Sequence, residues 1–294
     1  MLPESHKFKI VRKEKDPSFN IDSLDQYDLL LQFGPRDLQI GVVDCEEKRI
    51  LLVEDYILPG ANGIQDRLEC YHQIFDDHHL LLANFWNHVK VSIKGRQFAL
   101  VPASLFDPSN AALYLNINSP IQGRNEFLHT HTLEEMGITI VYVVETPVLE
   151  HLKSAYPKVE FKLVPHCASF IRGFRDIVSH TTGPVICLYL DRFTFHLVVF
   201  KNENLEYYNI FPINKFEDYS RYIRLVAGDQ GLDLKTEHFL LWGYLSADSS
   251  HLVELKRDCP NLKLGGRPGG LKFGHAFDII PDHQYFDLYS LNSL

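Results

Sequence analysis

Histidine and carboxylate side chains are the first candidates for chemistry in this chain. His129 and His131 alternate along a short segment, and Glu134 and Glu135 follow them. Alternate residues of a strand share one face, and imidazole and carboxylate groups are common metal ligands, so a metal-assisted hydrolase built on the two histidines is one hypothesis. The alternative is that the histidine pair is incidental, because the sequence alone does not position a further ligand next to the two imidazoles in space.

Three other groups have both a chemical and a structural interpretation. Cys167 follows His166, but a thiolate–imidazole nucleophile requires the two side chains to meet in space, so a structural thiol is the alternative. Asp191 beside Arg192 is either an acid in a cleft or an exposed ion pair at a hairpin tip. The glycine-rich residues 265–274 could cradle phosphate through backbone amides, but they lack the order of a phosphate-binding loop, so a mobile loop is the alternative.

Composition narrows the class of protein. The chain has 294 residues, 45% of them hydrophobic, which is enough for a large core and one to two domains. A net charge of -9 argues against a nucleic-acid binder, which needs a basic face. We expect no membrane insertion, since no apolar stretch reaches the ~18 residues of a membrane helix. Five cysteines without a CxxC pair are typical of free thiols in a reducing cytoplasm.

The elements that position these residues form a repeated pattern. Residues 27–60 read as three short antiparallel strands, and an amphipathic helix with apolar residues from Ile64 to Leu82 follows them, with a solvated turn at His78 and His79. Residues 184–213 repeat the three strands, and a helix follows there too. A unit duplicated about 155 residues apart predicts two related domains whose first hairpins face one cleft.

The remaining segments complete the predicted organisation. Residues 88–95 and 98–102 read as a further hairpin, and residues 137–145 as a strand buried on both faces. Strands and helices then alternate, which predicts mixed α/β sheets with helices on both faces. The predicted domains are a polar lead-in over 1–26, a first domain over 27–180 with an irregular insertion near 107–125, and a second domain over 181–294.

This order of elements resembles the ribonuclease H-like module, and its duplication resembles the actin-like ATPase superfamily of actin and sugar kinases. Residues 158–174, a strand that runs into a helix, are similar to the crossover of actin-like pilus and secretion proteins. The chain as a whole looks like an uncharacterised bacterial family with this fold. The resemblance covers residues 27–290 and depends on element order.

In the first domain, the resemblance implies an aspartate at the end of the first strand, which holds Mg²⁺, and then glycines that approach the nucleotide phosphates. Gln32 stands where that aspartate belongs. Gly34 falls at the glycine position, but Pro35 after it has no backbone donor.

In the second domain, the resemblance places Tyr189 at the aspartate position and Asp191 at the first glycine, and Thr194 matches the hydroxyl residue of the turn. Trp242 replaces the first glycine of the adenosine-binding turn, whereas Gly243 retains the second. The large side chains at 189 and 242 are expected to fill the cleft. Phosphoryl transfer depends on the metal and on precise positioning, so these replacements remove most of the machinery.

We therefore predict a cytoplasmic, non-catalytic pseudo-ATPase that acts as a scaffold or adaptor for another protein, without a cofactor. A homodimer is a further expectation. Tyr285, Phe286 and Tyr289 near the C-terminus are either core residues of their own domain or anchors for the partner. The alternative function is a nucleotide-binding ATPase or kinase-like enzyme with a non-standard phosphate site. In that case ATP and Mg²⁺ bind where a set of five residues converges, namely Gln32, Gly34, Asp191, Thr194 and Gly243.

Overall fold

A computed structural model describes residues 7–118 and 125–294, and the chain divides into two compact units. The passage from the first unit to the second lies inside one helix. The first stretch of the first unit ends at Ser169, whereas the sequence prediction places the domain boundary at residue 181, and short C-terminal segments also belong to the first unit. The first unit comprises Met1–Ser169, Gly270–Ile279 and Leu291–Leu294, and the second comprises Phe170–Gly269 and Ile280–Ser290.

The helices of the described residues are mostly short and connect successive strands. None of them has both the length and the apolar character that crossing a bilayer requires. They are α1 Ile64–Asp77, α2 Ala111–Asn118, α3 Thr146–Ala155, α4 His166–Val178, α5 Glu217–Asp229, α6 Ser250–Asp258 and α7 Phe286–Ser290.

Within residues 7–118 and 125–294, the strands form three sheets, two in the first unit and one in the second. They are β1 Lys9–Lys15, β2 Tyr27–Phe33, β3 Asp37–Asp44, β4 Arg49–Ile57, β5 His88–Ile93, β6 Phe98–Pro102, β7 Glu126–Leu133, β8 Ile138–Glu145, β9 Phe161–Pro165, β10 Pro184–Leu190, β11 Thr194–Lys201, β12 Asn204–Pro212, β13 His238–Gly243, β14 Leu262–Leu264 and β15 Lys272–Phe273.

The large sheet of the first unit confirms the predicted ribonuclease H-like order. Its strands run β1-β4-β3-β2-β5-β9, with β15 beside β4. Strands β2, β3 and β4 form the antiparallel meander, and β5 and β9 continue it in parallel. Helix α1 covers one face with Tyr71, Ile74 and Phe75, which join a core with Leu29 and Leu31 of β2. The helix ends at Asp77, earlier than predicted, because His78 has an extended backbone.

The polar lead-in contains an unpredicted strand, β1, which pairs with β4 at the edge of this sheet. Most of its residues are exposed, and three of them are lysines. Charged side chains, lysine above all, protect an edge strand from pairing with another chain, so the pattern of an edge strand is polar rather than apolar. This explains why residues 9–15 resembled a lead-in.

The hairpin predicted over residues 88–102 is wrong. Strand β5 belongs to the large sheet, whereas β6 pairs with β8 in a separate three-stranded sheet of order β6-β8-β7. The buried strand predicted at 137–145 is β8, the centre of this small antiparallel sheet. Helix α2 packs on the small sheet and lies in the insertion predicted near 107–125, of which residues 119–124 lie outside the described residues.

The second unit repeats the order of the first. Its strands run β12-β11-β10-β13-β14, with an antiparallel meander and then two parallel strands. Helices α5 and α6 cover one face through Ile223, Val226, Leu252 and Leu255. Helix α4 and the C-terminal segment that contains α7 cover the other face with aromatic rings.

Candidate functional site

A row of buried polar side chains crosses the large sheet of the first unit. Gln32 is the next-to-last residue of β2 and pairs with Gln39 on β3 and with Ser92 on β5. Gln39 pairs in turn with Asp55 on β4. Directly paired residues project to the same face of a sheet, so the four side chains share one face. All four are 0% exposed.

A hydrogen bond joins the two glutamines of this polar row. The side-chain nitrogen Nε2 of Gln32 donates to Oε1 of Gln39 at 2.8 Å. A buried amide is costly unless it is hydrogen-bonded, so this bond stabilises the pair inside the sheet. Asp55 provides the carboxylate of the row, two strands away from Gln32, and the described residues contain no cluster of three or more potential ligands.

Gly34 lies at the turn after β2, and its backbone is already bonded. Its amide donates to the carbonyl of Asp37 at 2.9 Å, and its carbonyl accepts from the Tyr71 hydroxyl at 2.8 Å. A Cβ at this position would collide with the carboxylate of Asp37, which explains why glycine is required. Lys94 pairs with that carboxylate at 2.8 Å, and both side chains are almost completely buried.

A pocket opens beside Gly34 in the first unit. Tyr71 and Val148 give it apolar walls, and Arg67 and Glu145 form an ion pair of 2.7 Å at its side. Burial lowers the pKa of the Arg67 guanidinium, but Glu145 outweighs this effect and raises it, so the guanidinium is charged at neutral pH. The pocket is thus lined by both basic and acidic side chains.

The second unit carries an aromatic row at the equivalent place. Tyr189 is the next-to-last residue of β10 and pairs with His196 on β11 and with Trp242 on β13. All three are buried. Helix α4 packs two rings on this row. The centre of the Phe170 ring lies 4.6 Å from the centre of the Tyr189 ring, and the centre of the Phe174 ring lies 4.8 Å from the centre of the Trp242 ring.

The C-terminal segment completes the cover over this row. The Tyr189 hydroxyl donates to a carboxylate oxygen of Asp287 at 2.6 Å. Burial, together with the Asp287 carboxylate, raises the pKa of Tyr189 well above its usual value, so the hydroxyl keeps its proton. The Phe286 ring lies 4.9 Å from that of Trp242, whose indole nitrogen donates to the Gly266 carbonyl at 2.8 Å. Tyr189 and Trp242 are therefore packed structural residues of their own unit.

Asp191, Thr194 and Gly243 lie together at the ends of β10, β11 and β13. The Asp191 amide donates to the Thr194 carbonyl at 2.9 Å, which closes the hairpin. Gly243 has a φ of 111° and would place a Cβ against the Leu190 carbonyl. Its amide donates to the His283 carbonyl at 2.8 Å. The structure thus brings three of the five predicted residues together in this unit and Gln32 with Gly34 in the other. Their convergence on one shared cleft stays a prediction.

Asp191, considered from the sequence as part of an exposed ion pair at a hairpin tip, has a buried side chain. Its carboxylate accepts from the amide of Arg192 at 2.8 Å. The guanidinium of Arg192 lies over the Tyr244 ring, 4.2 Å from its centre, in a cation–π contact.

The histidine and cysteine candidates lie in partly or fully buried surroundings. His129 and His131 lie on the same face of β7, and burial lowers the pKa of both imidazoles, that of His131 to about 4. Burial raises the pKa of the Cys167 thiol, which is the opposite of what a nucleophile needs. His78, expected in a solvated turn, is buried with its Nε2 3.0 Å from Glu54.

The glycine-rich residues 265–274 are held by specific contacts. Gly265 lies so close to the Trp242 ring that a Cβ would collide with it. Arg267 donates to the Ile280 carbonyl at 3.0 Å, and Lys272 begins strand β15. The amides of Gly265 and Lys272 donate to backbone carbonyls at 2.9 and 2.7 Å, and the phosphate cradle stays a prediction.

At the positions that the resemblance assigns to a magnesium nucleotide, the structure places groups that already form hydrogen bonds. Gln32 and Tyr189 stand at the positions of the two metal-binding carboxylates, and their buried side chains are hydrogen-bonded within their own units. The amides of Gly34 and Gly243 donate to backbone carbonyls. That the chain binds no nucleotide stays a prediction.

Comparison with solved structures defines the class of protein. A Bacteroides thetaiotaomicron protein with an actin-like ATPase fold and unknown function has a TM-score of 0.78 at 16% identity, covering 94% of this chain and 99% of that one. The PilM-PilN type IV pilus biogenesis complex follows with a TM-score of 0.64 at 11% identity, covering 90% and 98%. The ethanolamine utilization protein EutJ from Carboxydothermus hydrogenoformans has a TM-score of 0.51 at 10% identity, covering 95% and 90%. The chain therefore has the actin-like ATPase fold.

Comparison of sequences gives the family. Residues 16–262 match the family described as "Protein of unknown function (DUF3822)", and the chain belongs to this family. No curated protein matches the chain.

Proposed function

We propose that this protein is a non-catalytic, actin-like-fold scaffold or adaptor that acts through contacts with another protein. One observation carries the proposal: the Tyr189 hydroxyl, at the place of a metal-binding aspartate, donates to Asp287 of the chain's own C-terminal segment. A side chain held in this way cannot coordinate Mg²⁺ without breaking the packing of its unit. Phosphoryl transfer depends on metal ions that neutralise the developing charge, so losing both carboxylates removes the main catalytic contribution.

Further observations support a protein partner in the cytoplasm. The PilM-PilN complex, one of the similar structures, contains a partner protein. The net charge of -9 disfavours nucleic acid as the partner. The five cysteines are free thiols, four of them buried, which suits a reducing compartment.

Thermal unfolding of the full chain with millimolar Mg-ATP or Mg-ADP tests the loss of nucleotide binding. A ligand at a hundred times its dissociation constant stabilises a protein by about 2.7 kcal/mol, which moves the midpoint by several degrees. We expect no shift relative to magnesium alone. A saturable shift with either nucleotide would contradict the proposal.

The alternative function is a nucleotide-binding enzyme with a non-standard phosphate site. It is supported by Asp191, Thr194 and Gly243, which lie together at the ends of adjacent strands. If a shift is observed, Asp191→Asn should weaken nucleotide binding, whereas Asp248→Asn at an exposed position should not. Titration calorimetry on the two variants separates a site at this hairpin from binding elsewhere.

A further inference from the structure

The outer edge of strand β7 is open. This strand forms one side of the small sheet and pairs with β8 over its whole length, Glu126–Leu133. Within residues 7–118 and 125–294, no strand pairs with its other edge, and the backbone hydrogen bonds outside the sheets include none from residues 127–133. Alternate residues of an antiparallel strand direct their N–H and C=O groups to opposite edges. Strand β7 therefore presents a row of backbone donors and acceptors away from β8.

The side chains of β7 show that this edge reaches the surface. Phe127 is 56% exposed, Thr130 is exposed as well, and Leu133 alone among the eight residues is buried. An accessible row of backbone groups at a sheet edge is a template on which another extended chain can pair. The chemistry of the occupant is thus that of a β-strand.

The other edge strands carry features that protect them from such pairing. Strands β1 and β12 each contain a bulge, because the registers with their neighbours skip Val11 and Glu206. Strands β6 and β9 have five residues each and end in Pro102 and Pro165, and β14 has three residues. Bulges, prolines and short lengths are known protections of edge strands. Strand β7 has eight residues, a continuous register, and neither lysine nor proline.

We propose that β7 pairs with β7 of a second copy of the chain, which joins the two small sheets into one antiparallel sheet of six strands. A twofold axis brings the same strand of two copies together in antiparallel orientation. Both strands bond through their outer edges only when paired residues are an even number of positions apart, because alternate residues face the same edge. A register centred on Thr130 meets this condition. The inference goes beyond the proposed function, since the occupant is a second copy and not another protein.

The side chains that meet in this register are compatible. Thr130 lies opposite Thr130 of the second copy, and Leu128 lies opposite Thr132. The exposed Phe127 lies opposite Leu133, which gives an aromatic ring an aliphatic neighbour. Pairs of threonines and pairs of aromatic with apolar side chains stabilise neighbouring strands. The sequence of β7 is therefore complementary to itself.

Charge also permits a second copy as the occupant. His129 lies opposite His131 of the other copy, and burial lowers the pKa of both imidazoles, so these groups are neutral at pH 7. Like charges directly opposite each other destabilise paired strands, and none meet between residues 127 and 133. Glu126 lies at the end of the ladder, where salt and water screen its charge.

Analytical ultracentrifugation of the full chain at about 1–500 µM tests the pairing. One pair of strands buries less than the standard of about 800 Å² per partner, so we expect a reversible dimer with a dissociation constant on the order of 10–100 µM. Thr130→Lys places two ammonium groups opposite each other at the axis and should weaken the dimer by about tenfold or more, and Thr130→Glu should act in the same way. An equimolar mixture of the two variants should restore dimerisation, because opposite charges then face each other.

The matched control is Asn204→Lys, which adds the same charge at an exposed position of edge strand β12. Its dimerisation should equal that of the unchanged chain. Substitutions at exposed positions usually have small effects on stability, so the thermal midpoints of all variants, measured below the dissociation constant, should stay close to that of the unchanged chain. This measurement excludes unfolding as the cause of a lost dimer.

Three results would overturn the inference. They are a monomer over the whole concentration range, equal dimerisation of the Thr130→Lys and Asn204→Lys variants, and a mixture that dimerises no better than the Thr130 variants alone. A monomer would leave the open edge to an extended segment of another protein. The nucleotide experiment is independent: a saturable Mg-ATP shift contradicts the proposed function, whereas a monomer without such a shift contradicts the pairing of β7 alone.

Discussion

Gln32 and Tyr189 occupy the same place in the two units, and each shows how a residue without the expected chemistry becomes structural. A glutamine in a buried sheet needs a partner for its amide, and Gln39 on the neighbouring strand provides it. A buried tyrosine needs an acceptor for its hydroxyl, and Asp287 provides it from the C-terminal segment. At the scale of single residues, both side chains are therefore held by hydrogen bonds within their own units.

The hydrogen bond between Tyr189 and Asp287 predicts that removing the Tyr189 hydroxyl has a large effect on stability. Tyr189→Phe removes a donor from a buried carboxylate and should lower the free energy of unfolding by about 2–3 kcal/mol. Urea unfolding at pH 7 measures this change. The control is Tyr156→Phe, since the buried Tyr156 hydroxyl has no hydrogen-bond partner among the described residues. That variant should unfold within about 0.5 kcal/mol of the unchanged chain. Equal effects of the two substitutions would contradict the assigned role of Asp287.

Glu54 predicts a dependence of stability on pH. Burial raises its pKa, but His78, Tyr56 and Lys13 outweigh burial and lower the pKa from the usual 4.5 to about 2. A carboxyl whose pKa is lower in the folded state stabilises the fold above pH 4.5, and this contribution is lost as the pH falls toward 2. At about 1.4 kcal/mol per unit, its contribution should fall by roughly 2 kcal/mol between pH 4.5 and 3.

Urea unfolding of the unchanged chain and of Glu54→Gln from pH 6 to 3 measures this contribution. The difference between their free energies of unfolding should be constant above pH 5 and shrink below pH 4.5. Glu150→Gln replaces an exposed glutamate and should show no such convergence. A difference that stays constant down to pH 3 would show that Glu54 has an ordinary pKa.

Helix α4 illustrates how an element depends on one small residue. A Cβ added at Gly173 would lie 2.8 Å from the Cβ of Ser290 and 2.9 Å from a ring carbon of Phe286, so the helix needs glycine to approach α7. Gly173→Ala should lower the free energy of unfolding by roughly 1–2 kcal/mol, because overpacking outweighs the gain in helix propensity. Gly228→Ala in α5 is the matched control, since nothing lies within 4 Å of its added Cβ.

The expected signs of the two substitutions are opposite. Without a steric conflict, replacing glycine by alanine in a helix is stabilising by up to about 1 kcal/mol. Differential scanning calorimetry should therefore show a lower midpoint for Gly173→Ala and an equal or higher one for Gly228→Ala. Two variants with raised midpoints would show that α4 and α7 are less tightly packed than described.

The elements of the two meanders were predictable from the sequence because their signals are local. Alternating apolar residues and tight turns determine β2, β3 and β4, and the spacing of apolar residues determines α1. The hairpin predicted over 88–102 was wrong because partner choice is not local: β5 pairs with β2 and β9, although β6 is its neighbour in the chain. Edge strand β1 was missed because the lysines that protect an edge strand make its pattern polar, whereas a strand is predicted from alternating apolar residues.

The candidate positions were predictable only in part for the same physical reason. Gln32 and Tyr189 were located by the resemblance, which implies an aspartate at the end of the first strand of each domain. Their partners come from the register across strands and from distant segments, and Asp55, Ser92 and Asp287 were therefore missed. An acidic residue inside the apolar strand β4 was the one available signal for Asp55. No local pattern could show that Asp287 meets Tyr189, since 98 residues separate them.

At the scale of the whole molecule, the chain beyond the family match is an integral part of the fold. The match ends at residue 262, yet Tyr285, Phe286 and Tyr289 are at most 2% exposed, and Leu288 and Leu291 are 0% exposed. The aromatic residues that the sequence left open as partner anchors are therefore core residues.

A chain that ends at Gly269 should lose cooperative folding. Full burial of one large apolar side chain contributes about 1.5–3 kcal/mol, so removing these five costs on the order of 10 kcal/mol, comparable to the 5–15 kcal/mol that stabilises a typical domain. Calorimetry should show no sharp transition for the shortened chain, and a dye that binds exposed apolar surface should fluoresce in its presence. Ile279→Ser in the full chain is the control, because Ile279 lies in the removed segment but is 65% exposed. A shortened chain with the midpoint of the full one would mean that the C-terminal segment covers a fold that is already complete without it.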